Sequence, residues 1–184
     1  MRPYTCTLVF LWSAYNLECI KKTKNNNNVG MYSTLLSLHS LFRWLVLVIL
    51  VYSIYRAFIG YTRNQPFSKT DNAFRHWTAT VAHIQLMIGI VLYTQSPVVK
   101  YFWANTKTAL LNLDLTFYGL IHIVLMLTAI VVLTIGSALA KRKPTDREKF
   151  KTMLVWFSIV LIILFIAIPW SFSPLSSRPY FRTF

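Results

Sequence analysis

The sequence predicts an all-α polytopic membrane protein with four transmembrane helices in an up-down-up-down bundle. Two observations carry that expectation. The 184 residues are 55% hydrophobic and only 13% charged, with mean hydropathy +0.49, a balance that one soluble domain of this size could hardly hide in its core. The apolar residues also fall into four runs of about 20 to 25, the length an α-helix needs to cross about 30 Å of hydrocarbon.

The four spans are expected at about 34–58, 73–95, 114–139 and 150–170. Polar, Pro- and Gly-containing stretches separate them: "GYTRNQPFSKTDN", "SPVVKYFWANTKT" and "KRKPTDREK", with "PWSFSP" closing the fourth. Residues 171–184 form a C-terminal tail.

Residues 1–30 read differently. Their apolar run is short, contains Asn16 and Glu18, and leads into a Lys/Asn tract. A signal peptide would need a cleaner apolar core and a small-residue cleavage site. The expectation is therefore that Met31 is the true start and that the upstream residues are an over-extended translation. Cys6 and Cys19 both lie in this leader. Downstream of Met31, neither a disulfide nor a thiolate-held metal, iron–sulfur cluster or C-x-x-C-H haem attachment is expected.

The formal charge of +14 is carried at span ends, which argues against nucleic acid as partner. Arg56, Arg63, Lys69 and Arg75 flank the first connection, and Lys141, Arg142, Lys143, Arg147, Lys149 and Lys151 flank the third. The second connection has only Lys100 and Lys107, and the tail has Arg178 and Arg182. By the positive-inside rule the first and third connections are cytoplasmic and both termini face outward. The basic loops then meet anionic lipid headgroups of the bilayer.

Three spans each bring a histidine into the membrane. Counted from the outer span ends, His39 lies roughly 7 Å deep, His122 roughly 12 Å and His83 roughly 18 Å, while His76 is interfacial. A polar group in hydrocarbon is costly and marks a functional site by default. One such histidine can equally do no more than bond a neighbouring helix, a contribution of about 0.6 kcal/mol. Three on separate helices favour a shared site. Imidazoles paired across a bundle ligate b-type haem, and three at a common depth bind copper or zinc.

In an up-down-up-down bundle, spans one and three are diagonal, so His39 with His122 is the favoured axial pair and His83 with His122 the alternative. Arg43 follows His39 by four residues and shares its helical face. A guanidinium binds a carboxylate through two parallel hydrogen bonds, and Asp114 is the sole acidic residue after Met31 expected on the outer side. A haem propionate is thus the expected partner of Arg43, in preference to snorkelling.

Asp71, Asp114, Asp146 and Glu148 sit at span ends or in loops, so no span offers the buried acid of many ion-coupled transporters. Ser37, Ser40 and Ser158 form no oriented nucleophile–base arrangement. Thr78, Ala82, Gly89, Gly119 and Gly136 are expected to let helices approach closely, and Gln85 to bond another helix. Met126, one turn after His122, is an axial alternative but more simply a core filler. Trp44, Trp77, Trp103, Trp156 and Trp170 are expected in an interfacial belt.

The stretches "LHSLFRW", "AHIQLMIGIVLY", "IHIVLMLTAIVVLTIG" and "PTDREKFKTMLVWFSIVLIILFIAIPW" resemble the small four-helix bacterial membrane proteins known as "cytochrome B". The resemblance covers about residues 31–170. It implies a cytoplasmic-membrane protein with haem-type histidines, carried here onto His39, His83 and His122, with Arg43 in the first stretch. The chain departs from that family at Ile121, where an acidic residue is common, and at Phe150, where a histidine is common.

The leading expectation is a b-type haem protein that passes electrons to or from quinone or another membrane redox subunit. A non-redox assembly subunit and a copper- or zinc-handling protein using His39, His83 and His122 are the alternatives.

Overall fold

The computed structural model of the protein describes residues 13–168, with side chains from Gly30 onward. Cys6 and the residues from 169 on, Trp170 and the tail among them, lie outside the described residues. The chain divides into two compact units, Met1–Thr34 and Leu35–Phe184. The first contains the opening part of α1 (Ser13–Thr62), where the Ser33 and Thr34 hydroxyls donate to the Gly30 carbonyl at 2.9 and 3.0 Å.

Every regular element among the described residues is helical. Four helices are long and apolar enough to cross a membrane: Gly30–Thr62, Lys69–Gln95, Leu113–Arg142 and Asp146–Ala167. Each end lies within four residues of the expected span.

The second unit is punctuated by specific stop and start signals. α1 ends where Asn64 adopts φ 47° and the Gln65 amide donates to the Gly60 carbonyl at 3.1 Å. That is the left-handed C-terminal motif that satisfies a carbonyl left over from the last turn. α2 (Lys69–Gln95) starts with a capping box, in which the Ser68 hydroxyl accepts from the Asp71 amide and the Asp71 carboxylate from the Ser68 amide. It stops at Ser96, held extended at ψ 125° by the steric demand of the following Pro97.

The stretch after α2, expected as a loop, is partly helical. Pro97 opens α3 (Pro97–Ala104) at the position where a missing N–H costs nothing. Two single-turn helices follow, α4 (Thr106–Ala109) and α5 (Leu113–Thr116). A π-turn over Phe117–Ile121 then leads into α6 (His122–Arg142). The Thr145 hydroxyl caps α7 (Asp146–Ala167) by accepting from the Glu148 amide at 3.3 Å.

The long helices close a cycle of neighbours. Ser53 of α1 bonds Thr78 of α2 at 2.8 Å, and Arg75 of α2 bonds Ser137 of α6. α6 meets α7 where the Trp156 side chain fills the space a Cβ at Gly136 would need, and α7 meets α1 where Phe150 does the same at Gly60. α1 and α6 therefore stand opposite one another. Leu50, Leu133, Met153, Phe157 and Val160 fill the middle. Trp156 belongs to this interior and not to an interfacial belt. Trp77 and Trp103 are exposed.

One end of the bundle is stitched by polar groups. Asp71 is fully buried and its carboxylate accepts from Arg56 Nε and Nη2 at 3.0 and 2.9 Å and from the Ser68 hydroxyl at 2.6 Å. Arg75, 6% exposed, donates to the Ser137 carbonyl and hydroxyl at 3.0 and 2.6 Å and to Asn72. Asp71 and Arg75, expected at a membrane surface, are instead buried. A carboxylate and a guanidinium persist there because each is hydrogen-bonded on several sides.

Candidate functional site

The other end of the bundle brings His39, Arg43 and His122 together. Gln85 of α2 donates its Nε2 to the His39 carbonyl at 2.9 Å, so it does bond another helix. One turn later, Gly89 makes room for the His39 ring. A Cβ there would lie 3.2 Å from Cε1 and 3.7 Å from Nδ1. The His39 Nδ1 and the Gln85 Oε1 are buried with no hydrogen-bond partner among the described residues. Such groups are rare, and each calls for an explanation.

His122 lies across the bundle, and two backbone irregularities set its position. Its amide donates to the Phe117 carbonyl, five residues back, so the π-turn rotates everything before it relative to α6. Its Nδ1 donates to the Ala167 carbonyl at 2.9 Å. That carbonyl is one of the last four of α7, which have no helical amide to accept from. α7 ends here because Ile168, at ψ 128°, precedes Pro169 in the sequence. With Nδ1 protonated, the lone pair of the neutral ring resides on Nε2.

His39 and His122 lie within electrostatic reach of each other, and Arg43 within reach of both. The Arg43 guanidinium also stands 5.4 Å from the Trp44 ring centre and near Tyr118. Beside this group the Tyr93 hydroxyl donates to the Gly119 carbonyl, inside the π-turn, at 2.7 Å and accepts from Trp103 Nε1 at 2.9 Å. Phe102 occupies the place a side chain at Gly119 would take. α3 is thus packed against the turn that carries His122.

The other two histidines stand elsewhere. His83 is exposed, its Nδ1 donating to the Ala79 carbonyl at 2.7 Å and its Nε2 lying 3.4 Å from the Thr134 hydroxyl. Six residues separate it from Gly89, which at about 100° per residue turns it about 120° away from the His39 face. His76 is exposed beside Trp77, ring centres 6.3 Å apart. Among the described residues, no three His, Cys, Asp or Glu side chains gather as a metal would need. The expected three-imidazole grouping of His39, His83 and His122 is not assembled. Met126 packs against the core as a filler.

Sequence reading missed Ala167, Gly89 as a seat for His39, Tyr93, Tyr118 and the π-turn. Pro169 after an apolar run was a usable signal for the first. Gly89 spaced four residues from Gln85 was a signal for the second. Chemically, the site offers two imidazoles from opposite helices, a cation beside them, and, in His39 Nδ1 and Gln85 Oε1, buried polar atoms that meet no hydrogen-bond partner among the described residues. No protein-family model, curated protein or solved structure matches the chain.

Proposed function

We propose that this is a b-type haem protein of a bacterial cytoplasmic membrane that passes electrons, with one haem held between His39 and His122. The observation that carries the proposal is that two half-buried histidines from opposite helices stand at the same end of the bundle, one of them with a buried ring nitrogen that no group among the described residues satisfies. The residues fit such a group. Ligating histidines ordinarily donate their second ring N–H to a carbonyl or carboxylate, which fixes the tautomer and strengthens the ligating nitrogen, and His122 does so to Ala167. Gly89 leaves the His39 ring room beside α2. Arg43, on the face of His39, supplies the cation suited to a propionate. Bound there, haem would supply a one-electron couple. The protein's own part is to hold two neutral imidazoles, exclude water from them and set a positive charge at their edge.

Helix pairings support the up-down-up-down arrangement. Residues 39, 53 and 56 of α1 meet residues 85, 78 and 71 of α2, and residues 75 and 93 of α2 meet residues 137 and 119 of the third span. Ascending numbers meet descending ones, as antiparallel neighbours require. With the basic first and third connections in the cytoplasm, the site lies toward the outer face and both termini outside.

The test is spectroscopic. Purified protein should give a reducible b-type spectrum and a pyridine haemochrome ratio near one per chain. His39→Ala and His122→Ala should each abolish haem retention, while His76→Ala retains it. Colourless protein, free of haem and metal, would overturn the proposal in favour of an assembly subunit. Arg43→Leu should weaken haem binding or shift its midpoint, and an unchanged haem content and potential would remove that role.

A further inference from the structure

The Gln85 side chain crosses from α2 to α1 at the level of His39 and uses half of its amide there. Its Nε2 donates to the His39 carbonyl at 2.9 Å. A carbonyl can only accept, so this bond fixes which way the amide points and leaves Oε1, an acceptor, as its second polar atom. That oxygen is buried and meets no hydrogen-bond partner among the described residues.

His39 holds the complementary atom. A Cβ built on Gly89, one turn after Gln85, would lie 3.2 Å from the His39 Cε1 and 3.7 Å from Nδ1, so this edge of the ring lies against α2. Nδ1 is buried there and also meets no partner among the described residues. The edge has no room for a porphyrin between itself and the α2 backbone. As the haem ligand proposed above, His39 therefore binds through Nε2, and in the neutral ring Nδ1 then carries the proton. A buried donor and a buried acceptor are thus left on two residues already joined through the His39 carbonyl, too far apart to bond each other directly.

We infer that one buried water joins His39 Nδ1 to Gln85 Oε1, which makes Gln85 the positioning residue of His39. The water accepts from Nδ1 and donates to Oε1. Two polar partners are enough to keep a water in an otherwise apolar interior, and leaving both groups bare costs more than immobilising it. The bridge gives His39 what the Ala167 carbonyl gives His122 directly. That is a fixed tautomer, a fixed ring orientation and a more basic ligating nitrogen. The water site rests on the two unmet atoms, and its part in ligation rests on the haem reading above.

The experiment uses the full chain in detergent micelles, labelled with 15N-histidine and prepared from haem-deficient cells, before and after loading with haemin. The His39 signals are assigned by their loss in His39→Ala. Before loading, Nδ1 should resonate as an N–H nitrogen and Nε2 as a bare one, with a cross-peak from the Nδ1 proton to a long-lived water. Gln85→Leu should remove the cross-peak and let the ring populate both tautomers. Gln85→Glu should restore both signals, because its neutral acid offers a hydroxyl to the His39 carbonyl and keeps the accepting oxygen. After loading, Gln85→Leu should weaken haem binding about 10–100-fold and raise its midpoint, and Gln85→Glu should reverse both changes. An Nε2–H tautomer at His39 in the native chain, or the lack of a water cross-peak there, would overturn the inference without recourse to any variant at Gln85. So would a tautomer that Gln85→Leu leaves unchanged. The two proposals fail separately. A chain that shows the bridged Nδ1–H but takes up no haem keeps the water site and removes the haem function, whereas equal haem affinity and midpoint in native protein and Gln85→Leu removes the role of Gln85 alone.

Discussion

Both ends of this bundle bury polar side chains, but they treat them in opposite ways. At the Asp71 end the polar atoms meet fixed partners: Asp71 is bonded by Arg56 and Ser68, and Arg75 by Ser137 and Asn72. At the His39 end, His39 Nδ1 and Gln85 Oε1 are buried without a partner among the described residues. Burial of a polar group costs free energy wherever it occurs, and a partner offsets it. A cluster that is complete within the chain holds helices in register. One that is incomplete among the described residues leaves hydrogen-bonding capacity for a further group, at the end where the haem proposed above would stand.

Removing a partner at the complete end should therefore produce the largest loss of stability. Asp71→Ala leaves the Arg56 guanidinium without its partner, which in comparable buried pairs costs about 3–5 kcal/mol. Unfolding by denaturant in detergent micelles measures it. Arg56→Met in the same chain should restore most of the loss, because an apolar pair of similar volume carries no unmet charge. The folded fraction of either variant should keep the content of the haem proposed above. Loss of cofactor in proportion greater than loss of fold would show the two ends to be coupled, contrary to the division drawn here.

Asp71 also shows how far the sequence could be read. The four helices were legible because a 20-residue apolar run has few other uses, and His39, Arg43 and His122 stood out because each is expensive in hydrocarbon. The preference for His39 with His122 as an axial pair follows from the diagonal relation of spans one and three. Asp71 and Arg75 are expected at the end of the second span, and no buried acid is expected within a span, yet Asp71 is fully buried in the helix Lys69–Gln95. Only the three-dimensional arrangement reveals that Arg56 reaches across from α1 to Asp71. Arg75 was likewise counted toward the basic cytoplasmic loops, although its head group is committed to Ser137. The π-turn is packed by Phe102 and bonded by Tyr93, partners that the stretch "FYGLI" by itself does not announce.

A change at that turn should disturb the incomplete end with a smaller cost in stability. Gly119→Ala places a Cβ where Phe102 now stands. Inserting a methyl group into a packed contact costs about 1–3 kcal/mol. Phe102 is nearly fully buried, so the strain falls on the turn and hence on His122, three residues on. The expected result is reduced haem retention at a stability loss below that of Asp71→Ala. Phe102→Ala in the same chain should restore retention by giving the methyl group space. Retention unchanged in Gly119→Ala would mean that the turn does not set the position of His122.

The smallest effect is expected at Ser53. Its hydroxyl and that of Thr78 join α1 to α2 midway between the two ends, at 2.8 Å and fully buried. Thr78 also donates to the Phe74 carbonyl at 2.7 Å. With that proton committed, Ser53 is the donor and Thr78 the acceptor. Ser53→Ala therefore strands no donor: it removes one proton from an oxygen that keeps its own bond to Phe74. The cost should be near the average for interhelical hydrogen bonds in membranes, about 0.6 kcal/mol. Thr78→Val is the more informative partner variant, because it leaves the Ser53 hydroxyl buried with its acceptor gone, and should cost about 1–3 kcal/mol. Equal losses for the two variants in the same unfolding assay would show that the donor assignment is wrong. A loss of haem in either would place the boundary between the two ends of the bundle closer to His39 than Ser53.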